Sequence, residues 1–247
     1  MKPIRIFEAF GGYGSQSLAL KRLKQDYPDF DYEITGYSDI EPNAIKAYMA
    51  LNEDKVINYG DITKIDWNDV PDFDLFTYSF PCQDISAAGL QRGFKKGEDT
   101  RSGLLWECER AIEIKRPKYL LMENVKALVQ SKFLPDFYEW LRLLEHYEYY
   151  SAWEVLNAKD FGIPQNRERV FCVSILRTND EPNPHYNFPK PFPLTTCLAD
   201  ILEENVDERF FLSDDMLARF CEKSRENEPK DLEEDEPPIE DSLFAWM

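Results

Sequence analysis

"DFDLFTYSFPCQDIS", residues 72–86, decides how this chain is read. Its first half, "DLFTYS", is a short apolar run of the kind a strand shows when it is covered on both faces. Pro81 and Cys82 follow almost at once. A Pro-Cys pair at the end of a strand is either a turn around an inert thiol or a nucleophile held at the mouth of a cleft. The neighbourhood of the strand decides between them, because open α/β sheets bind ligands beyond the C-terminal ends of their parallel strands.

The neighbouring sequence alternates strand and helix. "IRIFEAF" and "YEITGYS" are strands, and "KYLLMENV" is a third apolar run. Between them "SQSLALKRLKQ" has helical apolar spacing, and "PNAIKAYMALN" starts with Pro42 at its first turn, where a missing N–H is tolerated. "SGLLWECERAIEIKR" and "FLPDFYEWLRLLEHY" are helical. "YYSAWEVLN" and "RVFCVSILR" are two adjacent strands. The pattern predicts an α/β fold with a mostly parallel sheet, an antiparallel edge and helices on both faces.

On such a sheet several side chains share one rim. "FEAFGGYGSQ" places glycines between a strand and a helix, as a nucleotide-binding turn requires, although its spacing is not GxGxxG. Asp39 ends the second strand, where a carboxylate binds ribose hydroxyls. Asp61, in "GDIT", is read as following a third strand, where it can accept from an adenine amino group. On its own, each is better read as a helix cap or a solvated turn. No GxxxxGK[ST] loop is present, so an adenosine cofactor without pyrophosphate is the economical ligand. Glu123 ends the strand "KYLLMENV", on the same edge as Cys82. Arg167 and Arg169 stand at i and i+2, expected on one face of a strand, with Gln165 alongside.

Composition narrows the classes. Five cysteines without any CxxC fit a reducing cytoplasm, and two histidines give little support to a metal site or a Cys-His dyad. The net charge of −18 argues against unaided nucleic-acid binding. Residues 222–241 hold ten acidic and three basic side chains and read as a disordered tail. Such a tract repels phosphate, and the apolar "SLFAWM" after it is either a frayed end or a docking segment. The organisation expected is a catalytic domain over 1–188, an extended or helical extension over 189–221, and the acidic tail over 222–247.

The ordered set "FGGYG", "SDIEP", "GDI", "FPCQ", "DTRSGLL", "ENV" and "QNRER" resembles the DNA (cytosine-5)-methyltransferase family of bacteria and phages. The resemblance covers roughly residues 4–177 and implies the S-adenosylmethionine-dependent, Rossmann-like methyltransferase fold. It implies that S-adenosylmethionine meets Phe10 and Ile40 on its adenine faces, Gly12 and Gly14 at the turn, and Asp39 at the ribose. Asp61 and Ile62 would meet the adenine edge, and Pro81 and Leu104 the methionine moiety. Cys82 would be the nucleophile, Glu123 the partner of the cytosine ring, and Arg169 a contact to its exocyclic oxygen. Arg167, Gln83, Ser86 and Gln165 would lie near a flipped base or its phosphates in double-stranded DNA. Glu8, Ser15 and Ser102 depart from the family's usual Asp, Gly and Gly. All ten glycines lie at or before Gly162, so the family's late Gly-Asn-Ser-Val-like motif is not expected here. The favoured expectation is the catalytic subunit of a split enzyme whose partner supplies target recognition. The alternatives are an inactive remnant or fragment, a cofactor-binding protein working through protein partners, and a tRNA methyltransferase of the same superfamily.

Overall fold

The computed structural model describes residues 2–52, 56–86, 92–97 and 100–219. The chain divides into two units, Met1–Cys197 and Leu198–Met247. The first holds six strands: β1 (Ile4–Ala9), β2 (Tyr32–Ser38), β3 (Leu75–Tyr78), β4 (Tyr119–Val125), β5 (Tyr149–Asn157) and β6 (Glu168–Leu176). Four helices join them: α1 (Ser15–Asp26), α2 (Pro42–Leu51), α3 (Leu105–Lys115) and α4 (Leu134–His146). The described part of the second unit contains the short 3-10 turns Leu198–Ile201 and Glu208–Phe210. The acidic tract and its terminal hexamer lie outside the described residues.

The strands form one sheet in the order β2-β1-β3-β4-β6-β5. The pairs β1–β2, β1–β3 and β3–β4 are parallel, whereas β6 runs antiparallel to both β4 and β5. This is the mostly parallel sheet with an antiparallel edge that the alternation implies. The order 2-1-3 makes the chain reverse its direction of travel at β1. A crevice therefore opens between the ends of β1 and β3, the switch point of a doubly wound sheet. The pairing is also level there: Ala9 lies opposite both Ser38 and Tyr78, and Tyr78 opposite Met122.

Packing fixes this platform. Leu105, Trp106, Cys108, Ala111 and Ile112 of α3 and Phe137, Trp140 and Leu144 of α4 are buried in one core with Phe76, Tyr78, Met122 and Cys172 of the sheet. Trp140 donates its indole N–H to the Tyr78 hydroxyl at 3.2 Å, so the large ring is buried without leaving its polar atom alone. Among the described residues no helix is long and apolar enough to cross a membrane.

One expectation needs correction. Among the described residues no strand leads directly into Asp61; residues 56–60 make an isolated parallel bridge, Tyr37 to Asn58. Asn58 turns its side chain onto the backbone of Asp39, and Gly60 adopts φ +71°, which ends any extended run.

Glu8 is fully buried in β1, where it accepts a hydrogen bond from the Tyr48 hydroxyl of α2. Burial pushes its carboxyl up to about 7, against the opposing pull of Tyr48 and the Ser17 backbone N–H. The folded protein therefore holds this proton at pH values where the unfolded chain has released it. Its stabilising contribution is complete below the ordinary value of 4.5 and is lost as pH rises through about 7. The shift corresponds to about 3 kcal/mol. Urea unfolding across this window should show wild-type stability falling as pH rises. Glu8→Gln, which cannot ionise, should flatten that slope, and an unchanged slope would assign the pH dependence elsewhere.

Candidate active site

The rim is built from what the chain does just beyond each level strand end. After β1 the backbone enters left-handed conformations at Phe10 (φ +55°), Gly12 (φ +56°) and Gly14 (φ +86°). Positive φ at a phenylalanine is strained, and such strain concentrates where a backbone is shaped for a ligand. The two glycines serve different ends. A Cβ on Gly14 would stand 2.7 Å from the Ser17 hydroxyl, so packing of α1 demands glycine there. A Cβ on Gly12 would meet no atom within 4 Å, so its bare backbone faces the crevice.

Asp39 follows β2 and binds this turn directly. Its Oδ2 accepts from the Gly12 N–H at 2.8 Å and its Oδ1 from the Glu41 N–H at 2.8 Å. A carboxylate has further acceptor positions, so both oxygens can still receive hydroxyl donors. Ile40, beside it, is 65% exposed, an apolar side chain presented to solvent at the rim. Glu8 lies beneath, its Oε1 buried without a hydrogen-bond partner. Asp61 caps a 3-10 turn, accepting from the N–H and hydroxyl of Thr63, with Lys64 3.3 Å away. Its neighbour Ile62 is buried in the core, which leaves its side chain little part in any ligand contact.

The Cys82 loop leaves β3 and is held at successive residues. Asn124, buried on β4, donates to the Phe80 carbonyl at 3.0 Å and accepts from its neighbour Val125 at 2.8 Å. Ser102 donates to the Pro81 carbonyl at 2.6 Å. The Cys82 carbonyl accepts from the N–H groups of Ile85 (3.0 Å) and Ser86 (2.8 Å), closing a tight turn. Gln83 is exposed, and its Oε1 accepts from Arg101 at 2.7 Å. Cys82 is partly exposed, unlike Cys108 and Cys172, which are buried with thiols pushed up by desolvation. Leu104 packs at the margin of the core.

Glu123 stands one residue past Met122, which pairs with Tyr78. Across the β4–β6 ladder Glu123 faces Phe171 and Val125 faces Arg169, so Glu123 and Arg169 are diagonal neighbours on one face. Arg169 Nε lies 3.2 Å from Glu123 Oε1, each side chain 23% exposed. The carboxylate is thus ion-paired at an open rim rather than isolated in an apolar pocket. Arg167 does not share a strand face with Arg169. The ladder begins at Asn157 opposite Glu168, and Asn157 Oδ1 takes the Arg167 N–H one residue earlier. Arg167 and Gln165 lie in the exposed turn before β6, and their side chains make no hydrogen bond or ion pair among the described residues.

Three residues hold the loop without having been assigned a role from sequence: Asn124, Arg101 and Ser102. Two lie in "DTRSGLL" and one in "ENV", but a hydrogen bond from a side chain to a distant carbonyl leaves no periodic trace. A cleft of about 330 Å³ lies away from the rim, lined by α4 and the start of β5, including Tyr138, Arg142, Tyr150 and Arg177. Another, of about 410 Å³, runs from the glycine turn along α1 and includes Tyr13, Ser15 and Arg22.

Comparison with known proteins places this geometry. The model of the family described as C-5 cytosine-specific DNA methylase matches residues 4–236. The type II methyltransferase M2.ScrFI of Lactococcus lactis subsp. cremoris is 40% identical, over 98% of this chain and 75% of that protein. The orphan methyltransferase M.SssI of Spiroplasma monobiae is 34% identical, over 86% of this chain and 68% of that one. An orphan methyltransferase of Bacillus phage rho11s is 30% identical over 94% of this chain, which spans 50% of the phage protein. Among solved structures, DNMT2 of Spodoptera frugiperda matches with a TM-score of 0.67 and 23% identity, over 89% of this chain and 65% of that one. Dnmt2 of S. pombe matches with a TM-score of 0.63 and 21% identity, over 89% and 66%. At these identities the structural likeness speaks for the fold.

Asn124 gives a direct test of how the loop is held. Asn124→Ala leaves the Phe80 carbonyl without its buried donor and should cost about 2 kcal/mol in chemical denaturation. A loss below about 0.5 kcal/mol would mean that the Phe80 carbonyl finds another partner and that Asn124 is not an anchor.

Proposed function

The chain belongs to the C-5 cytosine-specific DNA methylase family, and on that premise we propose that it methylates carbon 5 of a flipped cytosine through a covalent adduct on Cys82. The observation that carries this reading is the level rim, where the glycine turn and the Cys82 loop follow the paired ends of β1 and β3 and Glu123 stands on β4 one residue past Met122. Residues 1–188 form the catalytic part.

The rim fits the cofactor. Gly12 presents open backbone, Asp39 holds the turn with acceptor capacity to spare, Ile40 offers an exposed apolar face, and Glu8 Oε1 is a buried acceptor without a partner. S-adenosylmethionine, when bound, supplies the methyl group as an electrophile. Phe10 and Ile40 would hold its adenine faces, Asp61 and the Ile62 backbone its adenine edge, Asp39 its ribose, and Pro81 and Leu104 its methionine arm. Gly14 keeps the turn in shape for this.

The residues of the chain then do the following. Carbon 5 of cytosine is a poor nucleophile, and addition of the Cys82 thiolate to carbon 6 makes it an enamine. Electron density moves onto ring nitrogen 3, where Glu123, protonated from solvent as the entering base displaces its pairing with Arg169, supplies a proton. Arg169, 3.2 Å from Glu123, orients that carboxyl and faces the exocyclic oxygen. Carbon 5 would take the methyl group with a neutral thioether as leaving group; its own proton then passes to water, and as the carbon 6–sulfur bond breaks to release Cys82 the proton on nitrogen 3 returns to Glu123. The base must leave the helical stack to reach these groups. Gln83, Ser86, Gln165 and Arg167 contact it or its flanking phosphates.

We propose that a second subunit supplies target recognition and the family's C-terminal motifs. Support comes from the charge: −18 on this chain repels a duplex, and binding DNA calls for a compensating positive surface. The work takes place in the cytoplasm of a bacterial or phage-infected cell.

Two measurements test this reading. Asp39→Ala should weaken S-adenosylmethionine binding in calorimetry roughly tenfold or more, the effect of losing a charge-assisted hydrogen bond; equal binding by both proteins would remove Asp39 from the ribose site. A duplex carrying 5-fluorocytosine should trap the wild type covalently, because fluorine cannot leave as a proton does. Cys82→Ser should form no adduct, since a serine hydroxyl is far too basic to replace a thiolate. Trapping through another cysteine would contradict the mechanism.

A further inference from the structure

Ser102 is fully buried. Its hydroxyl does two things at once. It donates to the Pro81 carbonyl at 2.6 Å and accepts from the Asp84 N–H at 3.2 Å. Its own N–H donates to Asp84 Oδ2 at 3.2 Å. Asp84 is 1% exposed, and its Oδ1 accepts from Arg92 Nε at 2.8 Å. One serine thus grips the backbone on both sides of Cys82 and Gln83, and one buried carboxylate ties that serine to Arg92. Ser102 opens the 3-10 turn that runs into α3, whose Leu105, Trp106 and Cys108 are locked in the core.

We propose that Ser102 and Asp84 are a coupled pair of positioning residues that set where Cys82 Sγ stands at the rim. The proposal rests on the reading of Cys82 as nucleophile. Neither side chain needs to touch cytosine or cofactor; both act through the backbone that carries the thiol. Every polar atom of the pair is engaged, so deleting the Ser102 hydroxyl leaves the Pro81 carbonyl and the Asp84 N–H without their buried partner. A displacement of that carbonyl moves the next residue, Cys82, directly. Arg92 holds the Asp84 carboxyl below the usual carboxylate range, with the Ser102 N–H acting in the same direction, so the grip persists through neutral pH. A residue without a side-chain hydroxyl could not bridge Pro81 and Asp84 in this way.

The test uses the full chain and two separate readouts. The first is the rate of covalent trapping on a 5-fluorocytosine duplex, with the KM for S-adenosylmethionine measured alongside wherever turnover is seen. The second needs no DNA: the rate at which iodoacetamide alkylates Cys82, with exposed Cys197 as internal reference, read by mass spectrometry. Ser102→Ala should slow trapping roughly tenfold, the equivalent of one buried hydrogen bond, with the cofactor KM unchanged. The same change should speed Cys82 alkylation relative to Cys197, because a loosened turn exposes the thiol while misplacing it. Asp84→Ala should do the same, and Asp84→Asn, which keeps an acceptor for the Ser102 N–H, should recover most of what Asp84→Ala loses. If Ser102→Ala does not fold, the two Asp84 variants decide. Wild-type trapping and alkylation in Ser102→Ala and Asp84→Ala would overturn the proposal, as would a lower melting temperature with equal changes at Cys82 and Cys197. A wild type that never traps, either alone or with a complementing recognition subunit, while Ser102→Ala still alters alkylation at Cys82 alone, would instead remove the methyltransferase reading and keep the positioning role.

Discussion

Parallel pairing in register across β2, β1, β3 and β4 is the constraint on which the rest depends. Ser38, Ala9, Tyr78 and Met122 lie on one line across the sheet. Whatever follows each of them therefore emerges at the same height: Asp39 after β2, Phe10 and the glycine turn after β1, the Cys82 loop after β3, and Glu123 on β4. A slip of one residue in any pair would turn side chains to the opposite face and break this level. The slip is opposed by the core, where Phe76, Tyr78 and Met122 pack with Trp106 and Trp140. Burial of large rings is what makes the register expensive to change.

Above the sheet the stabilising logic changes from apolar to polar. Loops at the rim cannot bury much hydrocarbon, so they are held by side chains bonded to backbone. Asp39 takes the Gly12 N–H, Asn124 gives to the Phe80 carbonyl, and Ser102 gives to the Pro81 carbonyl. Each such bond contributes only about 1 kcal/mol net, but breaking one strands a buried partner at greater cost. Directional bonds of this kind set position more sharply than non-directional packing does. This is the requirement of a site in which a thiol and a carboxyl must meet opposite parts of one small ring.

The sheet order and the helices were legible because apolar spacing records burial. β1 to β6 and α1 to α4 fall where the alternation puts them, and the two late strands form the antiparallel edge. Cys82 and Glu123 were legible as rim residues for the same reason: each follows an apolar run. The misreadings have local causes. A strand before Asp61 was expected, but Asn58 and Gly60 divert the backbone there after a single bridge. Arg167 was expected on a strand with Arg169, but Asn157 captures its N–H before the ladder starts. The roles of Asn124, Arg101, Ser102 and Asp84 were not legible at all. Each depends on a partner brought close only by folding, and a polar contact between distant segments has no signature in the order of residues.

On the function proposed, the S-adenosylmethionine crevice and the Cys82 nucleophile share one rim. A crystal structure with S-adenosylhomocysteine bound tests it most directly. The adenine should lie between Phe10 and Ile40, the ribose on Asp39, and the sulfur should face Cys82 across a gap that a pyrimidine can fill. Density for the ligand in the cleft between α4 and β5, beside Arg142 and Arg177, or with its sulfur turned away from Cys82, would contradict the account.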